Sequence, residues 1–210
     1  MGKLPRFLWL LLGLLGWLGY RLRWRLLAQV AHWPRPHFRV KTDLNLHLVM
    51  RDGVILAADH YFPSQPGIYP TILIRSPYGR GLGGGVFGLF LSFFAYRFAE
   101  RGYHVITQDT RGRFDSGGEF FPYFNEQNDG LDTLAWIKKQ NWYGGNIGLW
   151  GPSYLGIVQW AIAAHDPDIQ ALVPSATSSE LEGIIFPDGA FDMGLAMRWI
   201  TIFDLLDRYR

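Results

Sequence analysis

The residue best suited to chemistry in this sequence is Ser153, within Gly-Pro-Ser-Tyr-Leu-Gly at positions 151–156. A short apolar run precedes this Gly-x-Ser-x-Gly pattern and an apolar helical pattern follows it over 155–164, which predicts a strand, a tight turn and a helix. Glycines at 151 and 156 permit a sharp turn, because they carry no side chain where backbones come together. The bare pattern also occurs by chance, and this context is what favours a nucleophile whose hydroxyl stands above a helix N-terminus.

A serine nucleophile needs a general base, normally a histidine held by an acid. The histidines of the sequence are His32, His37, His47, His60, His104 and His165. In hydrolases with this kind of turn the acid and the histidine follow the serine in the chain. Only His165 does so, at the far end of the same predicted helix, where a structural role is expected. The sequence therefore shows a nucleophile without its base.

Two further segments follow predicted strand ends and so lie at the sheet edge expected for Ser153. Tyr78 follows the strand at 71–74, and its phenol could point at the same reacting atom, although a tyrosine after a proline is commonly a packing residue. Residues 110–120 contain Arg, Asp and Ser side chains that could line a cleft. We expect these polar groups mainly to satisfy the backbone of their own turn.

The glycine-rich segment 79–84 matches Gly-x-Gly-x-x-Gly, with Asp109 at the end of the next predicted strand. Together these features imitate a dinucleotide-binding fingerprint. However, residues 75–78 separate the glycines from the strand end, where a pyrophosphate turn needs them. A flexible loop is therefore the favoured interpretation, with nucleotide binding as a minor alternative. The chain has no cysteine and no P-loop, and we expect neither a metal nor a cofactor.

The elements that must position these residues can be read from periodicity. Alternation over 44–50 and 54–62, joined by Arg-Asp-Gly, predicts a β-hairpin. The remaining pattern predicts strands at 71–74, 103–108 and 169–173 and helices at 87–101 and 129–140, the latter with Leu131, Leu134, Ala135 and Ile137 facing inward. Strands that alternate with helices after a hairpin indicate a largely parallel sheet covered on both faces.

Composition narrows the class of protein. The 210 residues suffice for one good core, and 18% charged with 16% aromatic residues indicates a packed chain. The formal charge of +2 conceals five basic residues and no acidic one within the first 25 positions, so the remainder is net acidic. We therefore expect no nucleic-acid partner.

The N-terminal region is uncharged and apolar over 7–20. As a helix it would reach roughly 21 Å, short of a hydrocarbon core of about 30 Å, but extension to residue 27 would span it if Arg21 and Arg23 reached the interface. A membrane anchor or signal anchor is favoured over an interfacial helix or a cleaved signal peptide, so we expect a membrane-associated protein. Either orientation remains open.

Five linked motifs lie at 50–54 with 58–59, at 74–79, at 108–112 with 116–120, at 129–130 with 136–137, and at 151–156. Together they resemble the cocaine esterase and X-Pro dipeptidyl-peptidase (peptidase S15) family of α/β-hydrolases. The resemblance covers residues from about 46 to the end, in order and spacing, and the motifs look closest to cocaine esterase-like members.

The resemblance implies the α/β-hydrolase fold, present as the N-terminal part of its sheet and cut off at the start of a helical lid. It also implies that Ser153 is the nucleophile and that the backbone N–H of Tyr154 and the hydroxyl of Tyr78 form the oxyanion hole. The family's acid and histidine follow the lid, so we expect both to be absent from this chain. We assign 1–30 to the apolar N-terminal anchor or signal-like helix, 31–45 to a linker and the entry to the fold, 46–177 to the incomplete core and 178–210 to the start of the helical lid.

The function expected is a serine hydrolase of ester or amide bonds acting through an acyl-serine intermediate, of the carboxylesterase or dipeptidyl-peptidase type. Its partners would be a small ester or peptide substrate, a membrane contacted by the N-terminal helix, and a missing C-terminal portion or second chain. The alternatives are a catalytically silent, membrane-anchored hydrolase-like fragment and a nucleotide-binding α/β domain.

Overall fold

The computed structural model describes residues 33–208, together with Gly13 and Trp17. All of the elements below belong to one compact unit, Phe38–Arg210. The described strands are β1 (Val40–Val49), β2 (Ile55–Pro63), β3 (Tyr69–Ser76), β4 (His104–Asp109), β5 (Tyr143–Pro152) and β6 (Ile169–Ser175). The described helices are α1 (Gly85–Ala99), α2 (Glu126–Lys138), α3 (Tyr154–Ala163), α4 (Glu182–Ile185) and α5 (Met193–Arg208), with a short 3₁₀ turn at Pro187–Gly189.

The first two strands form the predicted antiparallel hairpin. Its turn is closed by the N–H of Met50, which donates to the carbonyl of Val54 over 2.8 Å, while Gly53 adopts a φ of 85°. A positive φ is what the Asp-Gly pair supplies at low cost. The strand begins at Val40, earlier than expected and within the range assigned to the linker.

A bulge interrupts the alternation of β1 between Asp43 and Leu46. Asn45 has a φ of 57°, and its N–H donates to a carboxylate oxygen of Asp59 over 2.9 Å. The bulge explains why Leu44 is 61% exposed although the sequence pattern placed it with the inward residues.

The six described strands lie in the order β1-β2-β4-β3-β5-β6. β3 is parallel to both β4 and β5, and β6 is parallel to β5, as the alternation of strands and helices predicted. Because β3 and β5 are neighbours, the loops that leave their carboxyl ends start side by side. These are the loops that carry Tyr78 and Ser153.

Helices cover both faces of the sheet. On one face Leu73 packs in a cluster with Leu134 of α2. On the other face Ile72 and Ile74 pack in a cluster with Leu91 of α1. The period-two alternation of β3 therefore supplies both cores, which is why this strand reads as a continuous apolar run.

The buried face of helix α2 differs from the predicted one at one position. Leu134 and Ile137 are fully buried, but Ala135 is exposed and Thr133 is buried in its place. Positions 133, 134 and 137 share one face of a helix with 3.6 residues per turn, whereas 135 lies off it. The hydroxyl of Thr133 is satisfied inside the protein by a hydrogen bond of 3.0 Å to Gln108.

The expectation of membrane association is corrected. No helix in the described part of the chain is both long and apolar enough to cross a bilayer. This finding contradicts the membrane-associated localisation and the transmembrane helix expected from the sequence. The apolar stretch at 7–27 on which that expectation rested lies outside the described residues, apart from Gly13 and Trp17.

Candidate active site

The predicted strand-turn-helix around Ser153 is present. Ser153 lies between the end of β5 and the start of α3, with φ 56° and ψ −125°. Its N–H donates to the carbonyl of Ser175 at the end of β6 over 2.8 Å, and its carbonyl accepts from the N–H of Gly156 over 2.8 Å. A non-glycine residue with this backbone geometry costs about 1–3 kcal/mol. The strain leaves the serine side chain exposed at the apex of the turn.

Both glycines of the motif are required by close contacts. A Cβ on Gly151 would lie 2.4 Å from the Cβ of Leu155, and a Cβ on Gly156 would lie 2.4 Å from the Cγ2 of Thr177. The sequence argument expected backbones to meet at these positions. The structure shows instead that the glycines make room for neighbouring side chains, and Gly151 also has a φ of 148°.

The side chain of Tyr78 meets Ser153. Its ring lies between Phe87 and Phe203, with centroids 5.3 and 5.7 Å away. Its phenol lines the same cavity as Ser153, and it lies near enough to the side chains of Trp199 and Ser153 for both to lower its pKa. Burial raises the pKa of Tyr78, and these two contacts oppose the rise, so the phenol keeps its proton at neutral pH and can act as a donor.

Tyr154 contributes its backbone and its side chain in different places. As the first residue of α3 its N–H has no acceptor within the helix, so it is available beside Ser153. Its buried hydroxyl donates to Glu126 over 2.7 Å and accepts from the N–H of Tyr123 over 3.0 Å. Burial, followed by the negative charge of Glu126, raises the pKa of this phenol. The side chain thus ties α3 to the start of α2.

A buried ion pair beneath the site was missed by sequence reasoning. Arg75 of β3 lies 3.0 Å from a carboxylate oxygen of Glu126, donates to its carbonyl over 2.8 Å and donates to Gln108 over 2.8 Å. The available signal was a single arginine inside an otherwise apolar strand, since a buried charge is retained only when it is paired. The contact between Trp199 and Tyr78 was also missed, because the two residues are 121 positions apart.

Two cavities adjoin Ser153. The first, which we call the α3 cavity, has a volume of about 290 Å³ and is walled by Ile157, Ile185 and Trp199, with Asp192 as its one charged lining residue in the described chain. The second, the α1 cavity, has a volume of about 350 Å³ and lies between α1 and α5. Ser153 lines both cavities, so a group bound at its hydroxyl has space on two sides.

The α1 cavity also contains Tyr78 and is otherwise lined mainly by apolar side chains, among them Phe87, Phe90, Leu91 and Ile202. No charged residue of the described chain lines it. The two cavities therefore differ in chemical character: one carries a carboxylate and the other none.

No histidine of the described chain lines either cavity. His60 and His104 bind each other, with ring nitrogens 2.9 Å apart. His165 is exposed and contacts the amide nitrogen of Gln127 at 3.0 Å, in keeping with the structural role expected for it. Within residues 33–208, the structure therefore places Ser153, Tyr78 and the N–H of Tyr154 together, with no histidine beside them; their catalytic roles stay a prediction.

The glycine-rich loop is closely packed. A Cβ on Gly84 would lie 2.6 Å from the carbonyl carbon of Gly79, and a Cβ on Gly88 would lie 2.2 Å from the carbonyl oxygen of Gly81. The carboxylate of Asp109, which a dinucleotide site would offer to a ribose, faces Arg80 at 3.1 Å. Gly84 and Gly88 therefore serve packing within the protein, whereas a Cβ on Gly83 or Gly85 would meet nothing within 4 Å.

Arg80 joins three carboxylates. It is paired with Asp59, lies 3.1 Å from Asp109 and lies 3.0 Å from Asp115. One oxygen of Asp109 is buried without a hydrogen-bond partner among the described residues. Burial raises the pKa of Asp109 to about 7, and Arg80 opposes that rise. The described chain contains no group of three or more His, Asp or Glu side chains arranged to hold a metal ion.

The comparisons with known proteins bear on the fold and the family of the chain. The six-stranded sheet with its serine turn has the fold of the α/β-hydrolases. A CocE/NonD family hydrolase from Staphylococcus aureus superposes with a TM-score of 0.54 at 24% identity, covering 62% of this chain and 26% of that one. Est1E from Butyrivibrio proteoclasticus, solved with ferulic acid bound, superposes with a TM-score of 0.56 at 22% identity over 67% of this chain and 55% of that one.

The sequence defines the family. Residues 52–208 match the model of the X-Pro dipeptidyl-peptidase (S15) family, and the chain belongs to that family. Cocaine esterase from Rhodococcus sp. (strain MB1 Bresler) is 39% identical over 165 residues. The match covers 75% of this chain but only 28% of that relative's length. The family resemblance expected from the sequence motifs is thereby confirmed.

Proposed function

We propose that this chain carries the nucleophile and the oxyanion hole of a serine hydrolase that cleaves ester or amide bonds through an acyl-Ser153 intermediate. The observation that carries the proposal is that an exposed, strained Ser153 at the start of α3 lines the same cavity as the phenol of Tyr78. Membership of a family that includes an esterase and X-Pro peptidases supports it.

In the proposed reaction the Ser153 Oγ attacks the carbonyl carbon of the substrate while its proton passes to a general base. The oxyanion that forms accepts hydrogen bonds from the Tyr154 N–H and the Tyr78 hydroxyl. The leaving group then departs with the proton from the base. Water next attacks the carbonyl carbon of the acyl-Ser153 intermediate while the base takes its proton, and the Ser153 Oγ leaves with that proton. Preorganised donors of this kind are worth roughly 10²- to 10³-fold each, because they meet charge that develops only in the transition state.

The general base is the part that the described residues do not supply at Ser153. We propose that a histidine with its acid reaches the site from a longer chain or from a separate one, since the relative matched here is more than three times the length of the matched region. The second candidate is a catalytically silent hydrolase-like protein, favoured by the lack of a histidine among the lining residues described for both cavities.

Labelling by a fluorophosphonate tests the proposal, because this probe reacts with activated serines. With the histidine-bearing portion present, we expect the wild-type protein to be labelled and Ser153→Ala to lose labelling completely. Ser175→Ala is the matched control: it lies at the end of the neighbouring strand, and its backbone carbonyl, which accepts from the N–H of Ser153, is retained in the variant. Equal background in the wild type and Ser153→Ala would support the silent alternative.

A further inference from the structure

The α1 cavity adjoins both groups expected to surround the reacting carbonyl. Ser153 and Tyr78 form part of its lining, so any substituent of a carbonyl held between the serine Oγ and the tyrosine hydroxyl extends either into this space or into the α3 cavity. A volume of about 350 Å³ lies within the range of small-molecule sites.

The walls of the α1 cavity are apolar and come from separate elements. Leu91 and Leu155 lie at its buried side, each 3% exposed. Phe87 and Phe90 of α1 are each 43% exposed and Ile202 of α5 is 37% exposed, so large apolar surfaces stand open toward the space beside Ser153. Covering such surface with an apolar group removes it from water, which is favourable.

The rigidity of the aromatic wall follows from its packing. Phe90 contacts Phe94 edge to face, with ring centroids 4.7 Å apart, and Phe94 packs against Trp150 at 4.8 Å. Gly88 lets α1 approach the glycine-rich loop closely, which fixes the position of the helix. The cavity is therefore held by the core and does not depend on surface side chains alone.

The chemistry of the lining decides which group it accepts. No described residue of the α1 cavity carries a charge, so neither an ammonium nor a carboxylate would find a counter-ion there, and burying an unpaired charge is costly. The α3 cavity, by contrast, offers Asp192.

We propose that the α1 cavity is the specificity pocket of this hydrolase and binds the uncharged apolar substituent, alkyl or aryl, of the ester or amide attacked by Ser153. This assignment rests on the proposed function. It excludes the charged amino terminus of a peptide substrate from this side of the serine.

Chain-length selectivity tests the pocket. We compare labelling rates with two fluorophosphonates that differ only in a methyl or an octyl substituent on phosphorus. Each buried methylene is worth a factor of about four, so we expect the wild type to react at least roughly tenfold faster with the octyl probe.

Ile202→Trp, which narrows the α1 cavity, should lower the octyl rate about tenfold and leave the methyl rate within about twofold. Ile200→Trp is the matched control, because it makes the same change on the same helix at a position that lines neither cavity beside Ser153. If Ile202→Trp lowered both rates to the same extent, or lowered neither, the assignment of the α1 cavity as the specificity pocket would be wrong.

A binding measurement keeps the two proposals separable. N-phenyl-1-naphthylamine is uncharged and gains fluorescence in apolar sites, so its affinity can be measured without any reaction. If no probe labels the wild type, the proposed hydrolase function fails, but a dye affinity that Ile202→Trp lowers at least about fivefold and Ile200→Trp preserves would still support the pocket. Equal dye affinity in all three proteins would refute it.

Discussion

Two loops at the carboxyl edge of the sheet differ sharply in how their polar groups are used. The loop after β4 is dense in them, and they are bound inside the protein: Arg111 pairs with Asp129 at 2.6 Å, and Arg113 donates to the carbonyl of Pro77 over 3.0 Å. The turn after β5 presents Ser153, exposed, strained and next to two cavities. A dense group of polar side chains can therefore be wholly structural, whereas the accessible hydroxyl of Ser153 beside apolar space is the feature on which the proposed reactivity rests.

The largest effect expected from breaking this contrast is on stability. Arg80→Met should lower the free energy of unfolding by about 3–5 kcal/mol or prevent folding, because it leaves buried Asp59 and Asp109 without their counter-ion. Urea denaturation followed by circular dichroism measures the change. Arg51→Met is the control, since that side chain is 54% exposed in its pair with Asp132 and should shift the urea midpoint far less. Equal shifts would contradict a structural role for the Arg80 network.

The next largest effect is expected from Tyr78→Phe, which should lower reactivity without lowering stability. Tyr78→Phe keeps the ring between Phe87 and Phe203 but removes the hydroxyl, so the fluorophosphonate labelling rate should fall roughly 10²- to 10³-fold. Its urea midpoint should stay close to that of the wild type. A labelling rate within about threefold of wild type would mean that Tyr78 is a packing residue, which was the plain alternative from the sequence.

A pair of serines sharpens the comparison further. Ser116 in the polar loop accepts from the N–H of Ala57 over 2.9 Å and donates to the carbonyl of Asp109 over 2.8 Å, and it is buried. Ser116→Ala should therefore cost about 1–3 kcal/mol of stability by leaving these groups unpaired, with labelling of the folded protein unchanged. Ser153→Ala should instead abolish labelling and leave Ser116 and its hydrogen bonds, and so this part of the stability, unchanged. Thermal melting and labelling of both variants test this. Loss of labelling in folded Ser116→Ala, or unchanged labelling in Ser153→Ala, would contradict these roles.

The smallest expected effect is on the pH dependence of stability, through the buried histidines His60 and His104 and the buried carboxyl of Asp109. Burial lowers the pKa of His60 to about 3 and that of His104 to about 4, so below about pH 6.5 the unfolded chain takes up protons that the folded protein refuses. Stability should therefore fall as pH decreases. Asp109 acts in the opposite direction, because with a pKa of about 7 it keeps a proton in the folded protein that the unfolded chain releases.

Asp109→Asn should consequently steepen the loss of stability between about pH 6.5 and 4.5, by at most about 1.4 kcal/mol per pH unit. Urea midpoints measured across this range for the variant and the wild type give the slope. Parallel curves would show that Asp109 has an ordinary pKa in the folded protein.

Much of the fold was predictable, because it depends on short-range pattern. The hairpin turn at Gly53, the apolar run of β3 and the turn at Ser153 were all predicted from a few neighbouring residues, and the structure contains them. The bulge at Asn45 was not predicted, since it depends on pairing with a neighbouring strand. The inward placement of Ala135 was wrong for a local reason, because the helical period itself puts residue 135 off the buried face. The expected membrane association rested on the length and polarity of the apolar stretch at 7–27, and the structural finding contradicts it.

The candidate site shows the same division. Ser153 was identified from its own motif, and the family resemblance added Tyr78. The pairing of Arg75 with Glu126, the position of Trp199 and the two cavities have no local signature, because each joins segments far apart in the chain.

By itself the sequence determined the sharp turn that raises a serine hydroxyl over a helix start, because glycine placement and hydrophobic period act within a few residues. The tertiary structure alone decided what that hydroxyl faces. It placed β3 beside β5 and so brought Tyr78 near Ser153, although the two residues are 75 positions apart. It also placed α5 next to α1 with a cavity between them that no charged residue of the described chain lines. Contacts of that range depend on strand order and packing, which no local pattern encodes.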